Sequence, residues 1–204
     1  TICANACGSV RNKQTCKKTI DCGPCDCVGP CGGGEQCCDG RCQASQWVNH
    51  TTFGSYGSGG NQFTQPSGAA LSADALSIWV ADTSNHRIAV WSRPSTSSTE
   101  WRLQTTFGSR GSGLNQIFYP EAVAVSANGL TAWVADTSNH RIAVWTRPSA
   151  SSTVWSAQAA FGTSGSGGSQ FKQPNDVAVS RDELTMWIAD HSNARVSVWK
   201  RSNA

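Results

Sequence analysis

The sequence ADTSNHRIAVW, from Ala81 to Trp91, decides the fold of this chain, because it returns unchanged at residues 135–145. A third, altered copy, ADHSNARVSVW, occupies residues 189–199. The same spacing of 54 residues separates three sets of matching side chains: Trp47, Trp101 and Trp155; Phe53, Phe107 and Phe161; Pro66, Pro120 and Pro174. A fixed period of this kind indicates a repeat architecture, in which each copy is one structural unit.

Each copy contains short β-branched and aromatic runs separated by turn residues, a pattern typical of strands. We predict strand one at 69–72, 122–126 and 176–180, strand two at 78–82, 132–136 and 186–190, and strand three at 87–91, 141–145 and 195–199; strand four follows at 101–107 and 155–161. Side chains of strand three point alternately to the two faces of the sheet, and those on each face are apolar. A sheet with two apolar faces has to be covered on both sides, which predicts the radially stacked blades of an all-β propeller.

The first copy, QPSGAALSADALSIWVADTSNHRIAVW at 65–91, resembles the NHL repeat, with its P-x-G-V-A-V, V-A-D-x-x-N-x-R and terminal apolar run. NHL repeats form β-propellers, usually of six blades, so the resemblance implies that fold here. The copies are longer than usual NHL repeats. A Pro/Ser/Thr loop before strand four, at 93–99 and 147–153, accounts for the extra length.

Composition limits the class of protein. Charged residues make up 14% of the chain and the net charge is +3, too weak and dispersed for a nucleic-acid-binding surface. No run of 18 apolar residues occurs, so we expect no membrane span. The chain opens at Thr1 without a signal peptide, and we take it to be a mature or trimmed form. We expect two domains, residues 1–46 and 47–204.

Residues 1–46 carry every cysteine of the chain and few other apolar residues, so this segment needs covalent or metal cross-links. We expect five disulfides in a secreted mini-domain, because the count is even and the segment has no histidine. The alternative is zinc, suggested by the spacing of Cys22 and Cys25. The sequence CGGGEQCCDGRC at 31–42 loosely resembles the CC-containing half of knottin-type modules, and the pairing stays open. The cysteines are Cys3, Cys7, Cys16, Cys22, Cys25, Cys27, Cys31, Cys37, Cys38 and Cys42.

An N-glycosylation sequon, Asn49-His50-Thr51, stands where the two domains meet. Like the cysteines, this sequon indicates an extracellular or cell-surface location. Ser/Thr clusters at 95–99 and 149–153 are either ordinary polar loops or O-glycosylated loops.

Each copy has an Asp and an Arg flanking the turn between strands two and three. The turn is short, so we predict a structural ion pair rather than a catalytic one, because chemistry needs an asymmetric constellation. Asn85 and its matches Asn139 and Asn193 are interpreted as turn residues, a type that tolerates a left-handed backbone. The scattered histidines do not predict a metal site. The paired residues are Asp82 with Arg87, Asp136 with Arg141, and Asp190 with Arg195.

Positions that differ between copies are the candidates for function. Strand one lines the central channel in a propeller, so Glu121, Asn175 and Asp176 form an oxygen-rich set near one channel mouth. Oxygen ligands suit calcium, and sugar lactonase-like propellers hold a metal in this region; the alternative is that these are solvated mouth residues. Arg110 is a second variable position, and Phe118 with Tyr119 forms an aromatic spot suited to a ligand or partner.

The order of the strands predicts self-association. The chain starts its repeats on a strand four, at 47–53, and ends after a strand three, at 195–200. Three blades are fewer than the roughly four to eight that close a propeller, and an exposed strand edge invites pairing with another chain. We expect a non-catalytic extracellular module that binds protein or glycan and pairs with other copies, as a closed six-bladed dimer or a filament; membership of a longer polypeptide is a third option. The alternative is a metal-dependent propeller hydrolase or lyase.

Overall fold

A computed structural model describes residues 30–31, 35–38, 41–44 and 48–201. The chain separates into two compact units, residues 1–50 and 51–204. In the described part of the chain, no helix is long and apolar enough to cross a membrane.

The first unit contains a small antiparallel sheet of strands β1 (Pro30–Cys31), β2 (Glu35–Cys38) and β3 (Arg41–Ala44). The register of β2 and β3 sets the backbone of Cys37 opposite that of Cys42. The disulfide, zinc and knottin hypotheses concern cysteine side chains that lie outside the described residues, so they stay predictions.

The second unit is built from three antiparallel sheets that follow one another along the chain, as predicted for propeller blades. A short parallel pair, β4 (Ser55–Tyr56) and β5 (Gln62–Phe63), precedes them. Blade 1 contains β6 (Pro66–Leu71), β7 (Ser77–Asp82), β8 (Arg87–Ser92) and β9 (Arg102–Phe107); blade 2 contains β10 (Pro120–Val125), β11 (Thr131–Asp136), β12 (Arg141–Thr146) and β13 (Ser156–Phe161); blade 3 contains β14 (Pro174–Val179), β15 (Thr185–Asp190) and β16 (Arg195–Lys200).

Strand one begins earlier than the sequence predicts, at the repeat proline. A register shift follows that proline in every blade, between Pro120 and Ala122 in blade 2. Proline has no N–H to donate to the strand ladder, so a strand start next to a bulge is a position that tolerates it. Strands two and three are joined by a tight turn that sets Asp136 directly opposite Arg141.

The apolar faces of neighbouring blades pack against each other, which confirms that both faces of the middle sheet are covered. Each fully buried aliphatic or Phe side chain contributes about 1.5–3 kcal/mol relative to an exposed one. One core lies between blades 1 and 2 and includes Trp79, Ile88, Val134 and Trp145. The second lies between blades 2 and 3 and includes Trp133, Ile142, Phe171 and Ile188. The result is an all-β arc of propeller blades, an open ring, as the sequence predicts.

Candidate functional sites

The three Asp–Arg pairs form, and each sits in a network of hydrogen bonds. In blade 2, Asp136 is fully buried and accepts hydrogen bonds from the Phe118 backbone N–H at 2.7 Å, from Asn139 Nδ2 at 3.0 and 2.9 Å, and from Arg141 Nε at 2.7 Å. The outer nitrogens of Arg141 donate to the carbonyls of Ser112, Gly113 and Gln116. The carboxylate therefore ties strand three to the loop that arrives from the preceding blade.

The same geometry repeats in the outer blades, where Arg87 Nε lies 2.7 Å from Asp82 and Arg195 Nε lies 2.8 Å from Asp190. Burial raises the pKa of Asp136, against the lowering effect of its donors from Phe118, Asn139 and Arg141. At Asp190, burial also acts to raise the pKa, but the donors outweigh it and the pKa is lowered. The difference follows from position, because blade 2 is covered on both faces and blade 3 on one.

The asparagines lie in the turns, as predicted, but they do not take the left-handed backbone that this residue type tolerates. The left-handed residue is the next one: His86 (φ 55°), His140 (φ 57°) and Ala194 (φ 50°). The side chain of Asn85 bonds two groups outside its own turn backbone: its Nδ2 donates to the Asp82 carboxylate and to the Gly57 carbonyl. The residue after it closes the 3₁₀ turn through its own N–H, which donates to the Thr83 carbonyl.

The histidines and threonines of these turns link each blade to the next, a role that sequence reasoning missed. His86 Nδ1 accepts from the Tyr119 N–H at 3.2 Å, and His140 Nδ1 accepts from the Gln173 N–H at 3.0 Å. Thr83 Oγ1 donates to the Pro120 carbonyl at 2.8 Å. A comparison of the copies carried a signal for this role, since both residue types are lost together in the third copy, which has His191 and Ala194 instead.

The channel-mouth candidates lie on neighbouring first strands, Glu121 on β10 and both Asn175 and Asp176 on β14. The backbone carbonyl of Glu121 accepts from Ser67 Oγ at 2.7 Å. The first strands approach closely, because a Cβ added to Gly68 would lie 2.5 Å from that carbonyl oxygen. Within residues 48–201, no group of three or more His, Cys, Asp or Glu side chains is arranged to hold a metal ion.

Blade 3 presents an open edge and an open face. Among the described residues, β16 pairs only with β15. The outward face of blade 3 exposes Trp187 by 41% and Val196 by 65%. The matching residues of blade 2, Trp133 and Ile142, are 3% and 0% exposed because blade 3 covers them.

The segment that precedes blade 1 has the sequence of a fourth strand but forms no strand here. Residues 48–54 belong to no strand of the described chain, and the sequon residue Asn49 is exposed. Thr51 Oγ1 donates to the Thr99 carbonyl at 3.4 Å. Phe53, however, is anchored on blade 1, with its ring centroid 5.0 Å from that of Trp91 and 5.3 Å from that of Trp101.

Comparison with known proteins supports the NHL resemblance for two copies. Residues 63–91 and 119–145 match the family model described as the NHL repeat. These two segments lie in the first and second copies. The chain is also 37% identical over 99 residues to the Protein brain tumor of Drosophila melanogaster, an alignment that covers 48% of this chain and 9% of that protein.

Solved structures show the same fold at low sequence identity. One is a protein of unknown function from Desulfotomaculum acetoxidans, with a TM-score of 0.51 and 16% identity over 68% of this chain and 40% of that one. Another is a periplasmic gluconolactonase from Pseudomonas aeruginosa, with a TM-score of 0.51 and 15% identity over 67% of this chain and 36% of that one. The chain therefore spans well under half the length of these relatives.

Proposed function

We propose that this protein is an extracellular, non-catalytic binding and assembly module whose copies join by exchange of a propeller strand. The observation that carries the proposal is the edge of β16: among the described residues, no strand pairs there as β9 and β13 do in blades 1 and 2. The incoming strand is residues 47–53 of another copy, and it pairs with residues 195–200.

The placement of Phe53 supports this assignment. Its internal counterpart Phe107 ends strand four of blade 1 and packs on the next blade, with centroid distances of 4.9 Å to Trp145 and 4.8 Å to Trp155. Phe53 makes the equivalent contacts on blade 1. Phe53 therefore lies where the last residue of a preceding blade's fourth strand would lie, and none of the described residues 48–52 belongs to a strand.

The open face of blade 3 supplies the second half of the interface. Within the chain, this type of face packs against the following blade's first face, as Trp133 and Ile142 do in the second core. A second copy that donates its 47–53 strand would bring its own blade 1 over Trp187, Val196 and Val198. Burial of the last two contributes roughly 1.5–3 kcal/mol each. Reciprocal joining of two copies gives six blades, and a rotation that does not close gives a filament.

The test measures molar mass by light scattering for the intact chain and two variants. We expect at least twice 21.6 kDa for the intact chain at micromolar concentration. Val198→Glu puts a charge on the open face and should give a monomer. Leu114→Glu, at a side chain that is 51% exposed in an inter-blade loop, is the matched control and should still associate. Equal association of both variants contradicts the proposal.

A metal-dependent propeller hydrolase or lyase is the second candidate function. The observation that favours it is the presence of Glu121, Asn175 and Asp176 on adjoining first strands of a fold shared with a gluconolactonase. Calorimetric titration with calcium tests it. Binding that is lost in both Glu121→Gln and Asp176→Asn supports this candidate, and no heat of binding in the intact chain rejects it.

A further inference from the structure

One exposed cluster breaks the repeat at three positions that converge in space. Arg110 lies over the ring of Phe118 at 5.3 Å, and the Phe118 and Tyr119 ring centroids are 5.0 Å apart. The first copy has Tyr56, Thr64 and Gln65 at these positions, and the third has Ser164, Lys172 and Gln173. The cluster therefore belongs to the loop before blade 2 alone.

The loop before blade 2 lacks a hydrogen bond that the other two copies form, because it has Tyr119 where they have glutamine. In the other copies the residue at this position is glutamine, whose Oε1 accepts from a turn serine: Ser84 donates to Gln65 at 2.5 Å and Ser192 to Gln173 at 2.6 Å. Tyr119 has no amide oxygen, and within residues 48–201 the hydroxyl of Ser138 forms no such bond. A substitution that removes a scaffold bond and exposes a large aromatic side chain by 41% favours contact with another molecule.

Neighbouring aromatic side chains hold the Arg110 guanidinium and the Tyr119 ring in place. The Phe118 ring braces the Arg110 guanidinium by a cation–π contact. The imidazole of His86 lies 4.5 Å from the Tyr119 ring in an edge-on arrangement and also accepts the Tyr119 backbone N–H. Burial, with a smaller contribution from Arg110, lowers the pKa of His86, so this support is neutral near pH 7. Pre-ordered side chains lose less entropy on binding.

The chemistry of these groups defines the partner. Within the described chain, Arg110 has no carboxylate within 4.0 Å, so its guanidinium is available for a bidentate pair with one. Two clefts on the blades, of about 340 and 230 Å³, do not include the cluster. Tyrosine and arginine are among the side chains that dominate protein–protein contacts.

We infer that Arg110, Phe118 and Tyr119, supported by His86, form a docking site for a protein segment that carries a carboxylate beside an apolar side chain. The site lies in the loop before blade 2 and does not depend on the strand exchange proposed above.

The experiment titrates the full chain with a capped six-residue peptide of alternating glutamate and leucine, followed by NMR shifts of the Arg110 and Tyr119 amides. We expect saturable shifts, and affinity weaker by roughly tenfold (about 1.4 kcal/mol) for the glutamine–leucine peptide, because it lacks the charge that strengthens a hydrogen bond to the guanidinium. Equal affinity for both peptides overturns the proposal. Stronger binding of an oligogalacturonate overturns the assignment of a protein partner.

The repeats themselves provide the variants. Tyr119→Gln and Arg110→Ser install residues that other copies carry, so the fold is retained; both should abolish peptide binding, and Tyr119→Gln should keep or raise Tm by restoring the bond to Ser138. The triple variant Ser164→Arg, Lys172→Phe and Gln173→Tyr rebuilds the cluster beside His140 and should raise the stoichiometry from one peptide to two. Binding that survives Tyr119→Gln, or a stoichiometry that stays at one, contradicts the inference.

Discussion

Replacement of Asp136 by alanine should destabilise the blades strongly. The side chain is fully buried and accepts hydrogen bonds from three groups: the Phe118 N–H, the Asn139 amide and Arg141 Nε. Truncation leaves all three donors without this acceptor. Removal of one member of a buried ion pair costs about 3–5 kcal/mol. Arg141 keeps three carbonyl acceptors, so we expect a loss toward the lower end of that range.

The assay is thermal and urea unfolding of the intact chain and two comparison variants. A loss of about 3 kcal/mol corresponds to a decrease in Tm of roughly 6–12 °C for a chain of this size. Asp136→Asn keeps an acceptor oxygen and should lose less. Glu100→Ala removes an ion pair whose side chains are 75% and 68% exposed and should change stability by less than about 1 kcal/mol. A Tm of Asp136→Ala within 2 °C of the unmodified chain, or similar effects of Asp136→Ala and Glu100→Ala, would refute the reasoning.

Three further predictions concern backbone conformation, acid and the cysteines. Ala75 has a left-handed φ of 57° at the position where the second copy has Gly129 with φ 68°. Ala75→Gly should therefore stabilise the chain by about 0.5–1 kcal/mol, and Gly129→Ala should destabilise it by about 1–2 kcal/mol. Urea unfolding measures both changes. The pKa of Asp190 is lowered in the folded chain and that of Asp136 is raised. The contribution of Asp190 is thus complete above about pH 4 and lost as the pH falls through its folded pKa. Acid should therefore lower the amide protection factors, taken relative to the unfolded chain at the same pH, in blade 3 before blade 2; the reverse order would contradict it. Intact mass with and without reductant should show five disulfides and no free thiol, and stoichiometric zinc would overturn that expectation.

The fold could be predicted because the same pattern of strands and turns occurs three times in the sequence. The 54-residue period, the two apolar faces of strand three and the Asp–Arg spacing are local patterns, and the structure forms strands, cores and ion pairs from them. What remained hidden depends on contacts between blades. His86 was assigned no role because its partner, the Tyr119 N–H, is 33 positions away in the next blade.

The same distinction explains the candidate sites. The copies differ in sequence at Arg110, Phe118 and Tyr119, but only the structure shows that these side chains meet and that Tyr119 replaces a residue that forms a scaffold hydrogen bond. Asparagine is a turn residue type that tolerates a left-handed backbone. In the structure the left-handed backbone falls on the next residue, because the Asn85 side chain donates a hydrogen bond to the Asp82 carboxylate.

Hydrogen exchange read by mass spectrometry, as a function of protein concentration, tests strand exchange most directly. Backbone amides that join an intermolecular ladder become protected only when copies associate. We predict that amides in residues 48–53 and 195–200 gain protection together as concentration rises, while those of β11 remain equally protected throughout. Fast exchange of residues 48–53 at every concentration, or protection that does not change on dilution, would contradict the proposal that one copy supplies the missing strand of another.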